Sequence, residues 1–222
     1  MTKVNALFMA AAAGLVAMLF AAPATAAFVA YDDPIAFAAG LGGATPLVED
    51  YEGLALGSLI PTGSTVDGIT YDTFPAGTAG LVGRSFNRIG NQSLELQRDS
   101  VGSFFFPGDS FSVTFGAPMF AVGIYFNVVN DNTLAPYLFI NTPVGTATGG
   151  GIGDAPDVST LFFVGLISDT SFTTATFGAT AGSPSGYNVD NLTRAAVPEP
   201  ATLALLSIGL AGLAASRRRR LN

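Results

Sequence analysis

Three residue types are missing from this chain of 222 residues, which contains no cysteine, no histidine and no tryptophan. Without cysteine there is no disulfide bond, and without histidine the Ser-His-Asp and Cys-His arrangements of nucleophilic catalysis are excluded. The two absences together also exclude nearly every structural zinc site. The missing tryptophan weakens the case for a sugar-stacking platform, a role that tyrosine and phenylalanine can also fill. The composition points away from an enzyme, and it leaves the core or a bound metal to stabilise the fold.

Positive charge is also scarce, with nine lysine and arginine residues against sixteen acids and a net charge of −7. Lys3 and the four arginines nearest the C-terminus lie in segments that flank the central region. Residues 27–196 hold four arginines against fifteen acids, a net charge of about −11; the arginines are Arg84, Arg88, Arg98 and Arg194. This charge excludes nucleic acid and anionic lipid as default partners and favours divalent cations or neutral ligands.

The N-terminal segment has the three parts of a secretory signal peptide. Lys3 supplies the positive charge, residues 6–20 are apolar, and Ala24-Thr25-Ala26 forms an A-x-A cleavage site. We therefore predict that residues 1–26 are removed by signal peptidase, which recognises Ala24 and Ala26. The mature chain would start near Ala27 and be exported.

The C-terminal segment, residues 197–222, also has three parts. Val197-Pro198-Glu199-Pro200 comes first, an uncharged apolar stretch spans residues 201–216, and Arg217, Arg218, Arg219 and Arg220 follow. The prolines favour an extended backbone that a processing enzyme can grip. The apolar stretch predicts a transmembrane helix of roughly 24 Å, slightly short of a hydrocarbon core of about 30 Å. The arginines would stay on the cytoplasmic side of the inner membrane.

This three-part tail resembles the PEP-CTERM sorting signal, which is also called the ice-binding protein C-terminal domain although it carries no ice-binding chemistry. The resemblance implies that an exosortase, a membrane-embedded cysteine transpeptidase of Gram-negative bacteria that produce exopolysaccharide, recognises Pro198-Glu199-Pro200 and removes the helix. It further implies export through the inner membrane, transient anchoring there, and release to the cell surface or outside. An ordinary tail anchor is the alternative, and it leaves the Pro-Glu-Pro unexplained.

The central segment, residues 27–196, is predicted to be one domain, because it has no repeat, no linker and no Walker or Rossmann glycine pattern. A short helix is predicted near its start, capped by Asp32 or Asp33, with Pro34 in the first turn and Gly40 at the end. Short stretches rich in β-branched and aromatic residues follow, separated by turn residues. Ten strands are predicted, at residues 46–52, 68–74, 93–97, 101–106, 110–115, 120–129, 136–140, 160–167, 171–177 and 187–193.

Local patterns refine this prediction. Phe111, Val113 and Phe115 alternate with polar residues, so they should face the core. The stretch 172–177 loses its alternation, which indicates a bulge or an edge position. Residues 145–153 are nearly all Gly, Ala and Thr, and they are predicted to form a flexible loop without assignable chemistry.

The strand motifs carry a second resemblance, to the β-sandwich domains of PEP-CTERM proteins. The motifs are Glu49-Asp50-Tyr51-Glu52-Gly53, Gly68-Ile69-Thr70-Tyr71, Ser110 to Phe115 with Ala121-Val122-Gly123, Phe163-Val164-Gly165-Leu166 and Tyr187-Asn188-Val189-Asp190-Asn191-Leu192. Those domains are similar to the jelly rolls of carbohydrate-binding and galactose-binding-like modules. The fold class expected is therefore all-β, an antiparallel jelly-roll-like β-sandwich with one short N-terminal helix, flanked by the signal peptide and the C-terminal transmembrane helix.

One group of residues is a candidate metal site. In a jelly roll the first and last strands often pair, which would bring Asp50 and Glu52 near Asp190. Carboxylates with backbone carbonyls suit Ca²⁺. Under strict alternation Asp190 shares a side with Asn188 and Leu192, so it needs a partner. The alternatives are a carboxylate bonded to backbone N–H groups, which is the simpler interpretation, and a glycosidase pair built from the same acids.

Two functions follow from these patterns, and neither assigns a catalytic residue. The first is a non-catalytic surface or biofilm-matrix protein that an exosortase delivers among exopolysaccharides. The second is a carbohydrate-binding module with a structural calcium site. Exposed aromatic pairs would favour the second, and the candidates are Tyr71 with Phe74 and Tyr125 with Tyr137. Buried rings would favour the first.

Overall fold

The computed structural model describes residues 27–84, 90–98, 101–129, 137–149, 159–181 and 186–196. The predicted signal peptide, Ala24 and Ala26 included, lies outside the described residues. The predicted tail from Val197 onward, with its transmembrane helix and arginines, also lies outside them. Within the described ranges no helix is both long and apolar enough to cross a membrane.

The described part of the chain consists mostly of β-strands, which confirms the all-β prediction. Its single α-helix, α1, spans Pro34–Gly40. The strands are β1 Phe28–Tyr31, β2 Leu47–Glu49, β3 Leu59–Ile60, β4 Thr65–Val66, β5 Ile69–Thr73, β6 Ala79–Arg84, β7 Gln92–Arg98, β8 Val101–Ser103, β9 Ser110–Val129, β10 Leu138–Thr142, β11 Gly145–Thr148, β12 Ser159–Ala179 and β13 Tyr187–Ala196. The jelly-roll arrangement stays a prediction.

Helix α1 forms where the sequence predicted it. The Asp33 carboxylate caps the helix by accepting a hydrogen bond of 2.7 Å from the backbone N–H of Ile35. The buried Phe37 ring packs against Phe163 of β12 with 5.3 Å between ring centroids. Gly165 allows this approach, because a Cβ at that position would lie 2.6 Å from the Phe37 ring. The helix therefore covers one face of the sheet at β12.

The strands join into one hydrogen-bonded sheet of thirteen strands, in the order β11-β10-β12-β9-β13-β7-β6-β3 along its main path. Beside that path, β1 pairs with β12, β2 with β13, β5 with β9 and β4, and β8 with β7. The described pairings are antiparallel. Both β9 and β12 run through the middle of the sheet.

Two pairs of predicted strands are single long strands in the structure. The predicted strands 110–115 and 120–129 merge into β9, and 160–167 and 171–177 merge into β12. Pro118 does not break β9, because it lies between Met119 and Thr114, where the pairing of β9 with β12 shifts register. A proline at such an irregularity removes no ladder hydrogen bond. The register shift between Phe172 and Thr174 confirms the predicted bulge.

The core is one large apolar cluster, to which both halves of the long strands β9 and β12 contribute side chains. Phe111, Val113 and Phe115 are buried in it, as the alternation predicted. Aromatic rings connect its parts: Phe105 lies 5.4 Å from Phe111 and 5.3 Å from Tyr187, centroid to centroid. A second, small cluster around Phe37, Phe163 and Ala195 lies under helix α1.

The prediction of a loop from residue 145 onward is wrong for its first part. Gly145–Thr148 forms β11, which pairs with β10 through Thr142↔Gly145 to Phe139↔Thr148. Ala147 is buried between the exposed Thr146 and Thr148, so even this short segment alternates. Its small residues hid that pattern. The sequence prediction also missed β1, β3, β4 and β6.

Candidate functional site

The first predicted strand and the last strand do pair, as the metal hypothesis required. Leu192 lies opposite Glu49 and Thr193 opposite Val48, in an antiparallel pair of β13 with β2. Strand β2 is shorter than predicted and ends at Glu49. Asp50 and Glu52 therefore lie in the turn that follows the strand.

A bulge in β13 decides which way the acidic side chain of that strand points. Asn191 has a left-handed backbone with φ of 48°, and the pairing with β9 shifts between Asp190↔Tyr125 and Thr193↔Gly123. Asp190 lies on the side of Asn188, as predicted. The prediction that Leu192 shares this side is wrong, because the extra residue turns Leu192 into the main core.

Asp190 is a buried carboxyl group with one unpartnered oxygen. Its side chain is 1% exposed. Oδ1 accepts a hydrogen bond of 2.7 Å from the backbone N–H of Asn191, whereas Oδ2 has no partner. Burial raises the pKa of Asp190 to about 8; the bond from Asn191 opposes this rise, and the charges of Glu52 and Asp50 add to it. The group therefore holds its proton at neutral pH.

The structure places Glu52 beside Asp190, on the far side of Gly90. A Cβ built on Gly90 would lie 2.6 Å from Glu52 Oε1 and 3.9 Å from Asp190 Oδ2. Glu52 Oε1 already accepts hydrogen bonds from the backbone N–H groups of Asn91 and Gln92, the latter at 2.8 Å. These bonds lower the pKa of Glu52. Glu52 is thus an ionised acceptor that ties the turn after β2 to the start of β7.

Asp50 is exposed, and its Oδ1 accepts a bond of 3.1 Å from the backbone N–H of Glu52. The structure thus brings Glu52 close to Asp190, while Asp50 caps its own turn. No three acidic, histidine or cysteine side chains gather closely enough to hold a metal ion in the part of the chain that the structure describes. Calcium binding by Asp50, Glu52 and Asp190 stays a prediction.

A second group of buried polar residues escaped the sequence analysis. Asn188 of β13 lies opposite Asn127 of β9. On its other side, one residue along from the Val189↔Leu94 pair, Asn188 comes opposite Glu95 of β7. All three side chains are buried. We call Glu95, Asn188 and Asn127 the polar row. It crosses three strands on the face opposite Val189 and Leu94.

The polar row has almost no hydrogen bonds. Neither the amide oxygen nor the amide nitrogen of Asn127 or Asn188 has a partner, and Ser93 Oγ in the neighbouring position of β7 has none either. Burial raises the pKa of Glu95, an effect that the nearby Asn188 amide opposes. The Glu95 carboxylate fills the space over Gly83, where a Cβ would collide with its carboxyl carbon. Unpaired buried amides are costly, so they mark a place where water or a ligand could bind.

The sequence did contain a signal for the polar row. Ser93 and Glu95 alternate with Leu94 and Leu96, and Asn188 alternates with Val189. Such alternation is usually the mark of a strand with one face in water. The burial of this face depends on residues far away in the chain, which no local pattern reveals.

On the core side of the bulge, a third buried group surrounds Arg194. Arg194 Nη2 donates to the backbone carbonyl of Asp67, whereas Nη1 has no partner. Glu49 Oε1 accepts a hydrogen bond of 3.0 Å from the backbone N–H of Tyr51. Burial raises the pKa of Glu49; the Tyr51 bond and Arg194 oppose the rise, and Asp67 adds to it. Arg194 thus links β13 to the turn between β4 and β5.

The candidate aromatic pairs do not form an exposed platform. Tyr71 is fully buried, stacks on Phe74 at 5.9 Å between centroids, and donates a hydrogen bond of 3.2 Å to the hydroxyl of Tyr51. Tyr125 is half-buried against Phe163, at 5.1 Å. Tyr137 is 36% exposed. The burial of Tyr71, against which Phe74 is partly buried, favours the first of the two predicted functions.

Comparison with known proteins identifies the segment that follows this site. Residues 196–220 match the PEP-CTERM protein-sorting motif. The chain carries a PEP-CTERM sorting signal. This finding confirms the resemblance of the tail, and it makes an exosortase the processing partner of the protein. The match starts at Ala196, the residue at which β13 ends. No curated protein matches the chain, and no solved structure does.

The PEP-CTERM signal is consistent with export and with transient anchoring in a membrane before display at the surface. It covers the tail alone, so it does not identify the domain in front of it. The role of that domain has to be argued from its own residues.

Proposed function

We propose that this protein is a non-catalytic component of the cell surface or the extracellular exopolysaccharide matrix, delivered there by an exosortase. The observation that carries the proposal is the PEP-CTERM signal, which directly follows the last strand of a folded β-domain. The absence of histidine and cysteine supports a non-catalytic role.

The points where the chain enters and leaves the domain also support this route. Val29, Ile167, Ala121 and Ala195 lie in register across β1, β12, β9 and β13. Three successive antiparallel pairs link β1, β12, β9 and β13, so β1 and β13 run in opposite directions. The start of β1 and the end of β13 therefore lie at the same edge, and Ala27 and Ala196 both lie just beyond this line on that side. Three strand spacings separate them, about 14 Å. A signal peptide and a sorting tail attached at these residues could enter the same membrane while the domain stays outside.

The test of the sorting step is replacement of Pro198, Glu199 and Pro200 by alanine. The expected result is normal export, with a longer, uncleaved form retained in the inner membrane. Membrane and medium fractions would be compared by immunoblot against a control variant in which Pro61 and Thr62, in an exposed turn, are changed to alanine. Processing and release of the first variant at the normal rate would contradict the proposal.

The arginine cluster offers a second test of the same route. Changing Arg217, Arg218, Arg219 and Arg220 to glutamine should weaken the hold of the tail on the cytoplasmic side, because cationic residues set the orientation of a membrane helix. We expect protein with an intact tail to leak outward. Unchanged topology and yield would argue against this role for the arginines.

A second candidate function is a carbohydrate-binding module with a structural calcium site, and the unpartnered Oδ2 of Asp190 favours it. A cation held there with Glu52 would join the turn after β2 to β13 and reduce the self-repulsion of an acidic domain. At free calcium one hundred times the dissociation constant, the gain is about 2.7 kcal/mol.

Melting of the mature chain with and without millimolar calcium tests this candidate. Calcium should raise the Tm by several degrees, and Asp190→Asn should abolish that increment. Without calcium, Asp190→Asn should raise the Tm at pH 7, because the native carboxyl keeps its proton whereas the unfolded wild-type chain loses it. A glycan array probed in both conditions would report the sugar ligand. The site is refuted if calcium leaves the Tm unchanged or shifts the Asp190→Asn variant equally.

A further inference from the structure

Ala27, the residue that follows the predicted signal-peptidase site, is held at both of its backbone polar atoms by two consecutive residues of β12. Its nitrogen donates a hydrogen bond of 2.9 Å to Asp169 Oδ1. Its carbonyl accepts bonds from the backbone N–H of Asp169 at 3.1 Å and from Ser168 Oγ at 3.2 Å. Asp169 therefore binds Ala27 through both its side chain and its backbone.

The residues that hold Ala27 are themselves braced. Thr170 Oγ1 donates to Asp169 Oδ1 at 3.1 Å, and the backbone N–H of Thr170 donates to Ser168 Oγ at 3.1 Å. These contacts lie where the pairing of β12 with β9 is interrupted, between Ile167 and Phe172. The irregularity frees the side chains of Ser168 and Asp169 to meet the start of β1.

Cleavage of the signal peptide changes the chemistry of this contact. In the precursor the Ala27 nitrogen is a neutral peptide N–H with one proton to donate. Hydrolysis of the Ala26–Ala27 bond leaves a carboxylate on Ala26 and an amine on Ala27, and the amine takes up a proton at neutral pH. The resulting ammonium has three donors and a positive charge. Charge-assisted hydrogen bonds are roughly twice as strong as neutral ones.

We propose that Asp169 is the receptor for the α-ammonium group that signal peptidase creates at Ala27, and that this ion pair fastens β1 to the sheet only after maturation. The inference rests on the proposed export route, since it needs cleavage after Ala26. It does not depend on the exosortase step at the other end of the chain.

Strand β1 is held mainly by β12, with further contacts to β11 and α1. It is four residues long, and β12 is its only sheet partner in the described ranges. Phe28 is 38% exposed and Val29 is 55% exposed, so little apolar burial anchors the strand. It leads into α1, whose Phe37 contacts both Tyr31 and Phe163. A loose β1 would therefore loosen the helix that covers this face of the sheet.

The experiment measures amide hydrogen exchange in β1 of the mature chain 27–222 in detergent. Four forms are compared: the wild type and the Asp169→Asn variant, each with a free and with an acetylated N-terminus. Asparagine keeps an acceptor oxygen but removes the charge. The backbone N–H of Asp169 donates to the Ala27 carbonyl. In an antiparallel pair every second residue is hydrogen-bonded to its partner, so the next bonded amides of β1 are those of Val29 and Tyr31. Their exchange rates are the reporters. Acetylation and Asp169→Asn should each speed their exchange about two- to fivefold, the range for an exposed ion pair.

Combination of the two changes should have no more effect than either alone, because both remove the same ion pair. Asp32→Asn is the matched control: it removes an exposed acid just after β1 and should leave the exchange rates unchanged. The proposal is overturned if the acetylated and free forms exchange equally. It is also overturned if Asp169→Asn acts equally on both forms, because Asp169 would then bind an amide and not an ammonium.

N-terminal sequencing of the exported protein provides an independent check, with Ala27 expected as the first residue. A different first residue would overturn the proposal even if the exchange results agreed with it. Failure of exosortase processing would be recognised separately, because it changes the C-terminus and leaves Ala27 free.

Discussion

The bulge at Asn191 separates two buried polar groups of β13 that differ in how well they are bonded. On the core side, Arg194 and Glu49 each have one hydrogen-bonded atom and one unpartnered atom. On the other face, the side-chain amide atoms of Asn188 and Asn127 lack a hydrogen-bond partner by geometry. Partly bonded charges connect elements and should stabilise the fold, whereas unpaired amides should destabilise it unless something binds them. The contrast suggests a structural role for the first group and a binding role for the second.

The largest effect is expected from Arg194→Leu, which would leave Glu49 without its nearby positive charge. Loss of a buried charged donor together with its hydrogen bond to the Asp67 carbonyl costs about 3 kcal/mol. Urea unfolding at pH 7 would measure the loss, and Leu47→Ala, at an exposed position opposite Arg194, serves as control. A loss below about 1 kcal/mol would mean that Arg194 does not link the strands energetically.

A somewhat smaller effect is expected from the pH dependence of Asp190. Its pKa is raised to about 8 in the native state, whereas an unfolded chain loses this proton near pH 4. The stabilisation from this proton is complete below about pH 4, and it falls as pH rises toward 8, by a few kcal/mol. Asp190→Asn should remove this slope.

Urea unfolding with a chelator between pH 4 and pH 9 would measure that difference. The Asp190→Asn variant should match the wild type near pH 4 and exceed it at pH 9. The exposed Asp32→Asn variant should keep the wild-type slope. If the wild type and the Asp190→Asn variant gave parallel curves, the carboxyl of Asp190 would not be the buried acid described here.

A substitution in the polar row tests whether its amides are unpaired, because the direction of the stability change differs between paired and unpaired amides. With nothing bound, Asn188→Leu should raise the free energy of unfolding by about 1 to 3 kcal/mol, because it removes an unpaired buried amide. Asn141→Leu, at an exposed position bonded to Thr146, serves as the control. A loss of stability at Asn188 would show that water or a ligand pairs its amide in solution, and that the two groups of β13 are alike.

The smallest effect is expected from Gly83→Ala, which would push the Glu95 carboxylate away from the strand. Because that carboxylate is the end of a flexible side chain, we expect a loss of about 1 kcal/mol. In a Glu95→Ala background the loss should disappear, which a double-mutant cycle would detect. Persistence of the full loss would place the strain in the backbone of β6 instead.

Part of this fold was predictable because its signals are local. The cap at Asp33, the proline after it and the alternation around Val113 fixed α1 and the core face of β9. The pairing of the first predicted strand with the last was also correct. The continuity of β9 and β12 was not predictable, because it depends on neighbours that tolerate Pro118 at a register shift. The burial of Asn188 and Asn127 has the same cause, since only the assembled sheet removes them from water.

The bulge at Asn191 shows why the candidate site was only half predicted. Strict alternation correctly placed Asp190 with Asn188 but misplaced Leu192; the one local hint was Asn191 itself, because asparagine tolerates a left-handed backbone. The sorting motif was predictable, because its order of Pro-Glu-Pro, apolar stretch and arginines is itself linear in the sequence.

We propose that this β-domain reaches the outside of the cell through its PEP-CTERM signal, and the intact mass of the released protein tests this route most directly. The expected species begins at Ala27 and lacks the apolar stretch 201–216 and the arginines after it. A released species that still contains residues 201–222 would contradict it.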